Sequence, residues 1–310
     1  MMKRGIHMLK LQSIDTEQRN ERTMHIDRLS TLEMLEVINE EDHKVAEAVR
    51  LVLPEIARAV DVIYEQIRAG GRLVYCGAGT SGRLGVVDAS ECPPTYGVDP
   101  GLVVGLIAGG PSALTTAVEG AEDNPAFGVN DLKNLNFSSK DALVGIAASG
   151  RTPYVLGAMD YAHSQGAPVI ALTCCRDSEL SRHADITIAP IPGPEVITGS
   201  SRMKSGTAQK LVLNMLSTAV MVKLGKVYGN LMVDVKASNE KLYHRAMSIV
   251  RTVTQADDEA VRQALEASGY SCKTAIVMLL LGLDADSAAA ALAQADGRIA
   301  QVVAQKDDER

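Results

Sequence analysis

Short apolar runs that end in loops of glycine and hydroxyl residues recur along this chain, and that repeat restricts the fold more than any other feature. RLVYC (72–76) leads into GAGTSGR, LVVGLI (102–107) into AGG, and ALVGIAA (142–148) into SGRTP; PVIALT (168–173) and DITIAPI (185–191) follow. Runs of this length without polar alternation suit strands buried on both faces, and stretches of helical spacing separate them. Strands alternating with helices predict an α/β fold, with a mainly parallel sheet, helices on both faces and right-handed connections, in the flavodoxin-like manner. With no Trp and two Phe, the core has to be built from Val, Ile, Leu, Ala and Met.

Residues 1–28 are polar and read as an N-terminal extension or arm. Ser30 and Glu33 form a capping-box pattern that opens a short helix. Asp42 is expected to cap a second helix, whose apolar positions Val45, Val49, Val52, Ile56, Val60, Ile63 and Ile67 step by three and four, with Pro54 kinking it before Gly70 and Gly71 end it. Further helices are expected over 111–123, 154–164 and 208–224. From about Ser238 the pattern changes to helices alone, at 240–254, 258–267, 272–281 and 286–295, punctuated by Gly269, Gly282 and Gly297. The expected division is therefore an arm over 1–28, an α/β domain with N-terminal helices over 29–237, and a small helical domain over 238–310.

Charge and cysteine content exclude several classes. The 31 basic and 38 acidic residues give a formal charge of −7, and no basic stripe with interleaved aromatics provides a footprint for nucleic acid. Cys76, Cys92, Cys174, Cys175 and Cys272 include no CxxC pair, and two are adjacent, which fits a reducing cytoplasm better than a disulfide framework. MMKRGIHMLKLQS lacks the apolar stretch and cleavage site of a signal peptide, and no apolar run is long enough to span a bilayer, so no membrane role is expected.

Gly77, Gly79 and Gly82 satisfy GxGxxG, but the next strand ends in Ala108, Gly109 and Gly110, with no acid for a ribose hydroxyl; no GK[ST] of a Walker loop follows either. What remains at Gly79, Thr80, Ser81 and Gly82 is a set of hydroxyls and free backbone N–H groups at a helix N-terminus, suited to a phosphate monoester. Ser149, Gly150 and Thr152 occupy a second strand-to-helix junction, and Ser200, Ser201 and Lys204 precede the long helix near 208. Such junctions share the carboxyl edge of a parallel sheet, so one phosphate pocket built from all three is expected. Arg83, Arg151, Arg202 and Lys204 are each as compatible with a salt bridge or an exposed position as with a phosphate contact. His183 and His244 lack triad or metal-ligand spacing, Cys92 has no visible base, and Met215 and Met221 read as core.

GAGTSGR, DASECPPTYG, VEGAEDN, ASGRTP, GPEVITGSSRMKSGTAQK and LMVDVKASNEKL together resemble the N-acetylmuramic acid 6-phosphate etherases, over Thr16 to Val303. The resemblance implies a sugar isomerase (SIS) domain, a C-terminal helical domain similar to ubiquitin-associated modules, a homodimer, and a cytoplasmic role in recycling cell-wall sugars, with no metal or redox cofactor. It places catalytic carboxylates at Glu91 (in DASE) and Glu122 (in GAED), for hydrolysis of the D-lactyl ether to N-acetylglucosamine 6-phosphate and D-lactate. Because that ether lies β to the aldehyde of the opened sugar, the expected route is elimination of lactate and addition of water, with Glu122 as base and Glu91 as acid. On local sequence alone, Glu119, Glu122 and Asp123 are equally compatible with solvated charges at a helix end, and Glu91 with a surface residue before Pro93 and Pro94. A continuous helix over 82–90 would set Glu91 roughly 13 Å from the first loop, so it either turns back or completes a neighbouring subunit's site. A sugar-phosphate-binding regulator similar to the glucokinase regulatory protein, and an aldose-ketose phosphate isomerase, are the competing functions.

Overall fold

The computed structural model describes residues 15–234 and 240–308. The first 14 residues of the expected arm, and the expected domain boundary between residues 237 and 238, lie outside the described residues. The chain divides into two compact units, one comprising residues through 89 together with 103–216, the other 90–102 together with 217–310.

The first unit is built on five parallel strands, β1 (Leu73–Gly77), β2 (Val103–Ile107), β3 (Ala142–Ile146), β4 (Val169–Leu172) and β5 (Ile186–Ile188), in the order β2-β1-β3-β4-β5. Every residue of β1, β3 and β4 is buried, as expected for strands covered on both faces. Gly77 pairs with both Ile107 and Ile146, Ile146 with Leu172, and Leu172 with Ile188, so the carboxyl ends of the strands are level along one edge. The strand order reverses between β1 and β3, and the crevice beyond their ends is where ligands bind in doubly wound sheets.

One face of the sheet carries α5 (Pro125–Asn134), α6 (Pro153–Ser164) and α7 (Glu179–Arg182), which bury Leu132, Tyr154, Val155, Met159 and Leu180 against Val74, Leu143, Val169 and Ala171. Toward the other face, α3 (Leu53–Arg68) packs on the strands, and α4 (Gly79–Tyr96) is tied to β1 by Tyr75, whose hydroxyl donates to Asp88 at 2.9 Å. Asn214 on α8 (Lys204–Lys223) donates to the same carboxylate at 2.7 Å. The Ser30–Glu33 capping box opens α1 (Thr31–Asp42) as expected.

Several expected elements differ. Asp42 closes α1 rather than capping a helix, and α2 (Lys44–Arg50) stops before α3 because Pro54 has no N–H to donate and its ring collides with a preceding turn; the break places Pro54 in the first turn of α3, where proline is tolerated. The helix expected over 111–123 is two short 3₁₀ turns, Pro111–Leu114 and Ala121–Asp123, around an irregular segment rich in β-branched Thr115, Thr116 and Val118 and ended by Gly120 at φ 71°. α8 begins at Lys204, four residues before its expected start. Met221 is buried, but Met215 is 36 % exposed on α8.

In the second unit the short antiparallel pair β6 (Val227–Tyr228) and β7 (Leu231–Met232) accompanies α9 (Glu240–Thr254), α10 (Asp258–Ala267), α11 (Cys272–Leu281), α12 (Ala285–Gln294) and α13 (Ile299–Asp308). Asp257, Ser271 and Asp284 cap α10, α11 and α12, and Val250, Leu265, Ile276 and Leu292 form the core among these helices. The amines of Lys226 and Lys273 both donate to Asp234, each at 2.8 Å. Among the described residues no single helix is long and apolar enough to cross a membrane.

Candidate active site

The turn from β1 into α4 closes tightly because two glycines meet in it. A Cβ on Gly82 would lie 2.6 Å from the Gly77 carbonyl oxygen and 2.7 Å from Ile107, so any side chain there would force the helix off the strand. Gly82 is thus a packing residue, and it lets the N-terminus of α4 sit directly beyond β1. Gly150 has a similar role after β3: its φ is 65°, and a Cβ would lie 2.3 Å from Ser178.

A cavity of about 260 Å³ opens at the β1/β3 switch point. Gly79, Thr80 and Ser81 line it from the first turn of α4, Ser149 and Thr152 from the junction after β3, and Ser201 from the loop before α8. Three loops far apart in sequence thus meet at one place. Glu122 also lines it, as do Thr16 and Glu17 from the arm. The arm is held there by Asn20, which donates to the Pro194 carbonyl at 3.2 Å, by Thr23, which donates to that of Val196 at 2.8 Å, and by the Arg176 N–H, which donates to Asp15 at 2.8 Å. Thr152 is the N-cap of α6 but makes no side-chain capping bond, leaving its hydroxyl for a ligand. Among the described residues no cationic side chain lines this cavity. An anion would be held by hydroxyls, backbone N–H groups and the positive ends of α4 and α6.

The remaining expected residues lie elsewhere. Gly82, Gly150 and Ser200 do not line the cavity, and Arg151 and Arg202 are exposed. Lys204 is fully buried: its ammonium donates to Glu41 at 2.7 Å and to the Pro192 carbonyl at 3.0 Å. Burial by itself would raise the Glu41 pKa, but hydrogen bonds from Lys204 and Lys44 and the charge of Lys204 outweigh it and hold the carboxyl at about 2. The N-terminus of α8 is closed by Glu195, whose two carboxylate oxygens accept from the backbone N–H groups of Lys204 and Ser205, both at 2.9 Å. Glu41 and Glu195 were not identified from sequence; the only local signal is Glu195 standing a short loop ahead of the helix start.

Glu122 is exposed on the 3₁₀ turn at 121–123, not at the end of an α-helix. It also faces a second cavity, of about 370 Å³, which shares Ala78, Gly79 and Glu122 with the first and extends over Arg83, Ala108, Ala113, Ala117 and Val118. Glu91 is exposed and lines neither cavity. α4 runs unbroken from Gly79 to Tyr96, so Glu91 lies about 18 Å along the helix from Gly79. Among the described residues no group of three or more His, Cys, Asp or Glu is arranged to hold a metal ion.

Family models match three segments: the N-terminal SIS domain of glucokinase regulatory protein over 55–163, the SIS domain over 124–219, and the C-terminal lid domain of glucokinase regulatory protein over 229–276. A phosphoheptose isomerase from Francisella tularensis superposes with a TM-score of 0.47 at 22 % identity, covering 62 % of this chain and 98 % of that one. A Klebsiella aerogenes protein named N-acetylmuramic acid 6-phosphate etherase is 57 % identical over 94 % of this chain and 97 % of its own length. A protein of the same name from Aliivibrio fischeri (strain MJ11) is 59 % identical over equal shares. With more than half of its residues shared over nearly the full length of both chains, this chain belongs to the N-acetylmuramic acid 6-phosphate etherase family.

Proposed function

We infer that the protein hydrolyses the D-lactyl ether of N-acetylmuramic acid 6-phosphate, giving N-acetylglucosamine 6-phosphate and D-lactate, in the recycling of cell-wall sugars. The observation that carries this reading is Glu122 at the edge of a hydroxyl-lined cavity fed by two helix N-termini, in a chain of this family. The 6-phosphate occupies that cavity, held by Gly79, Thr80, Ser81, Ser149, Thr152 and Ser201. Gly82 and Gly150 shape the turns, and Lys204, through Pro192 and Glu41, fixes the loop that presents Ser200 and Ser201.

An ether is a poor substrate for direct displacement, but this one lies β to the aldehyde of the opened sugar. Glu122 as carboxylate takes the proton from carbon 2, the electron pair forms the carbon 2–carbon 3 double bond, and the carbon 3–oxygen bond breaks. Glu91 as carboxylic acid protonates the departing oxygen. Water then adds its oxygen to carbon 3, and a proton returns to carbon 2, regenerating the aldehyde. In deuterated, ¹⁸O-labelled water the product N-acetylglucosamine 6-phosphate is expected to carry deuterium at carbon 2 and label on the carbon 3 hydroxyl. Retention of the original ether oxygen on the sugar excludes this route. The same substrate separates the rival functions: a regulator binds without turnover, and an isomerase converts hexose phosphates instead.

The unbroken α4 favours a site completed by a second copy of the chain, and we assign Glu91 to the active site of its neighbour in a homodimer. Glu91→Ala and Glu122→Ala subunits, each inactive alone, are then expected to recover about a quarter of wild-type activity after random mixing, because half of the dimers are mixed and each mixed dimer has one intact site. No recovery means that each site is built from one chain. The five cysteines, all buried and none in a disulfide, accord with placing the enzyme in the cytoplasm.

A further inference from the structure

We propose that the second cavity is the lactyl subsite and that Arg83 recognises the lactyl carboxylate; this rests on the etherase reading above. The two cavities meet at Ala78, Gly79 and Glu122. The order along the cleft is therefore hydroxyl-lined chamber, Glu122, second chamber. The substrate has the same order: phosphate on carbon 6, the reacting carbons 2 and 3, and the lactyl group extending from carbon 3. With phosphate in the first chamber and carbon 2 at Glu122, the lactyl group enters the second.

That chamber has the chemistry of a lactyl group. Ala108, Ala113, Ala117 and Val118 provide small apolar walls that fit a methyl. Among the described residues Arg83 is the one cationic side chain that lines either cavity. Its guanidinium is fixed by two backbone carbonyls, Nε donating to Leu114 at 3.0 Å and Nη2 to Ala113 at 2.7 Å. Two of its five N–H donors are thus engaged, which leaves the Nη1 edge for an external acceptor. Among the described residues Arg83 makes no ion pair with a carboxylate. An oriented guanidinium without an acid of its own, facing a cavity, suits bidentate capture of a carboxylate. Glu119 and Glu122 also line the chamber, so an anion is favourable only at the Arg83 end. A neutral acetamido group would make no use of that charge.

The test compares N-acetylmuramic acid 6-phosphate with its lactyl carboxamide. Arg83→Gln is expected to lower kcat/KM on the acid by about 10- to 100-fold, the range of a lost hydrogen bond to a charged group, with Arg83→Lys falling between it and wild type. Turnover of the carboxamide should change little, and N-acetylglucosamine 6-phosphate, which has no lactyl group, should inhibit both variants as it does wild type. Val118→Asp, which leaves Arg83 in place, should produce the same selective loss on the acid, so the proposal does not depend on the folding of the Arg83 variants. Equal losses on acid and carboxamide overturn it, as does weakened inhibition by N-acetylglucosamine 6-phosphate, which would make Arg83 a phosphate ligand. Wild-type enzyme that turns over neither compound removes the etherase reading itself; wild-type turnover with unaltered acid preference in all variants removes only the Arg83 assignment.

Discussion

Glu122→Gln is expected to lower kcat on N-acetylmuramic acid 6-phosphate by about 10²- to 10⁴-fold, the contribution of a well-placed general base, while KM moves little. The substitution keeps the size of the side chain but not its ability to accept a proton. The side chain is exposed on a short 3₁₀ turn, so its replacement leaves the core untouched. Asp123, its neighbour on the same turn, lines neither cavity, and Asp123→Asn is the matched control, expected to stay within about twofold of wild type as an ordinary surface change. Deuterium incorporation at carbon 2 should fall in step with kcat. A Glu122→Gln enzyme within about tenfold of wild type would remove this residue from proton abstraction and move the base elsewhere in the cleft.

The same turn shows where sequence reading reaches and where it stops. β1, β3 and β4 were legible because strands buried on both faces have to be apolar throughout, and the loops after them because glycine and hydroxyl residues at strand ends have few other uses. Residues 111–123 have helical spacing without forming an α-helix, for a physical reason. Ala113, Leu114, Ala117, Val118 and Ala121 recur in steps of three and four, yet Ala113, Ala117, Val118 and Ala121 line a cavity. Apolar periodicity reports which side chains share a side, not whether that side meets a core or a ligand. Helix rise alone sets Glu91 far from the first loop, and the continuous α4 keeps it there.

Lys204 illustrates the other limit: its neighbours in sequence are phosphate-loop residues, but its partner Glu41 is 163 positions away, and no local pattern announces such a pair. The pair has a measurable consequence. Glu41→Gln is expected to cost roughly 3 kcal/mol of stability near neutral pH, the equivalent of holding a carboxyl at about 2 in the folded chain against 4.5. Because the folded-state pKa is depressed, this stabilisation is complete above the unfolded value and is lost as pH falls from 4.5 toward 2. Denaturant unfolding of wild type and Glu41→Gln should therefore give curves that differ most at pH 6–7 and converge on acidification. In the variant Lys204 is a buried ammonium facing a neutral amide and the Pro192 carbonyl. Replacing both partners, as Glu41→Gln with Lys204→Met, is expected to regain most of the loss, since removing a buried pair is far less costly than breaking it. A gap between the single variant and wild type that stays constant from pH 7 to pH 2 would show that Glu41 is not held ionised by Lys204. The loop carrying Ser201 runs from Pro192 to Lys204, so the single variant should also raise KM for the sugar phosphate, and a stability loss without that rise would separate the ion pair from the positioning of the phosphate.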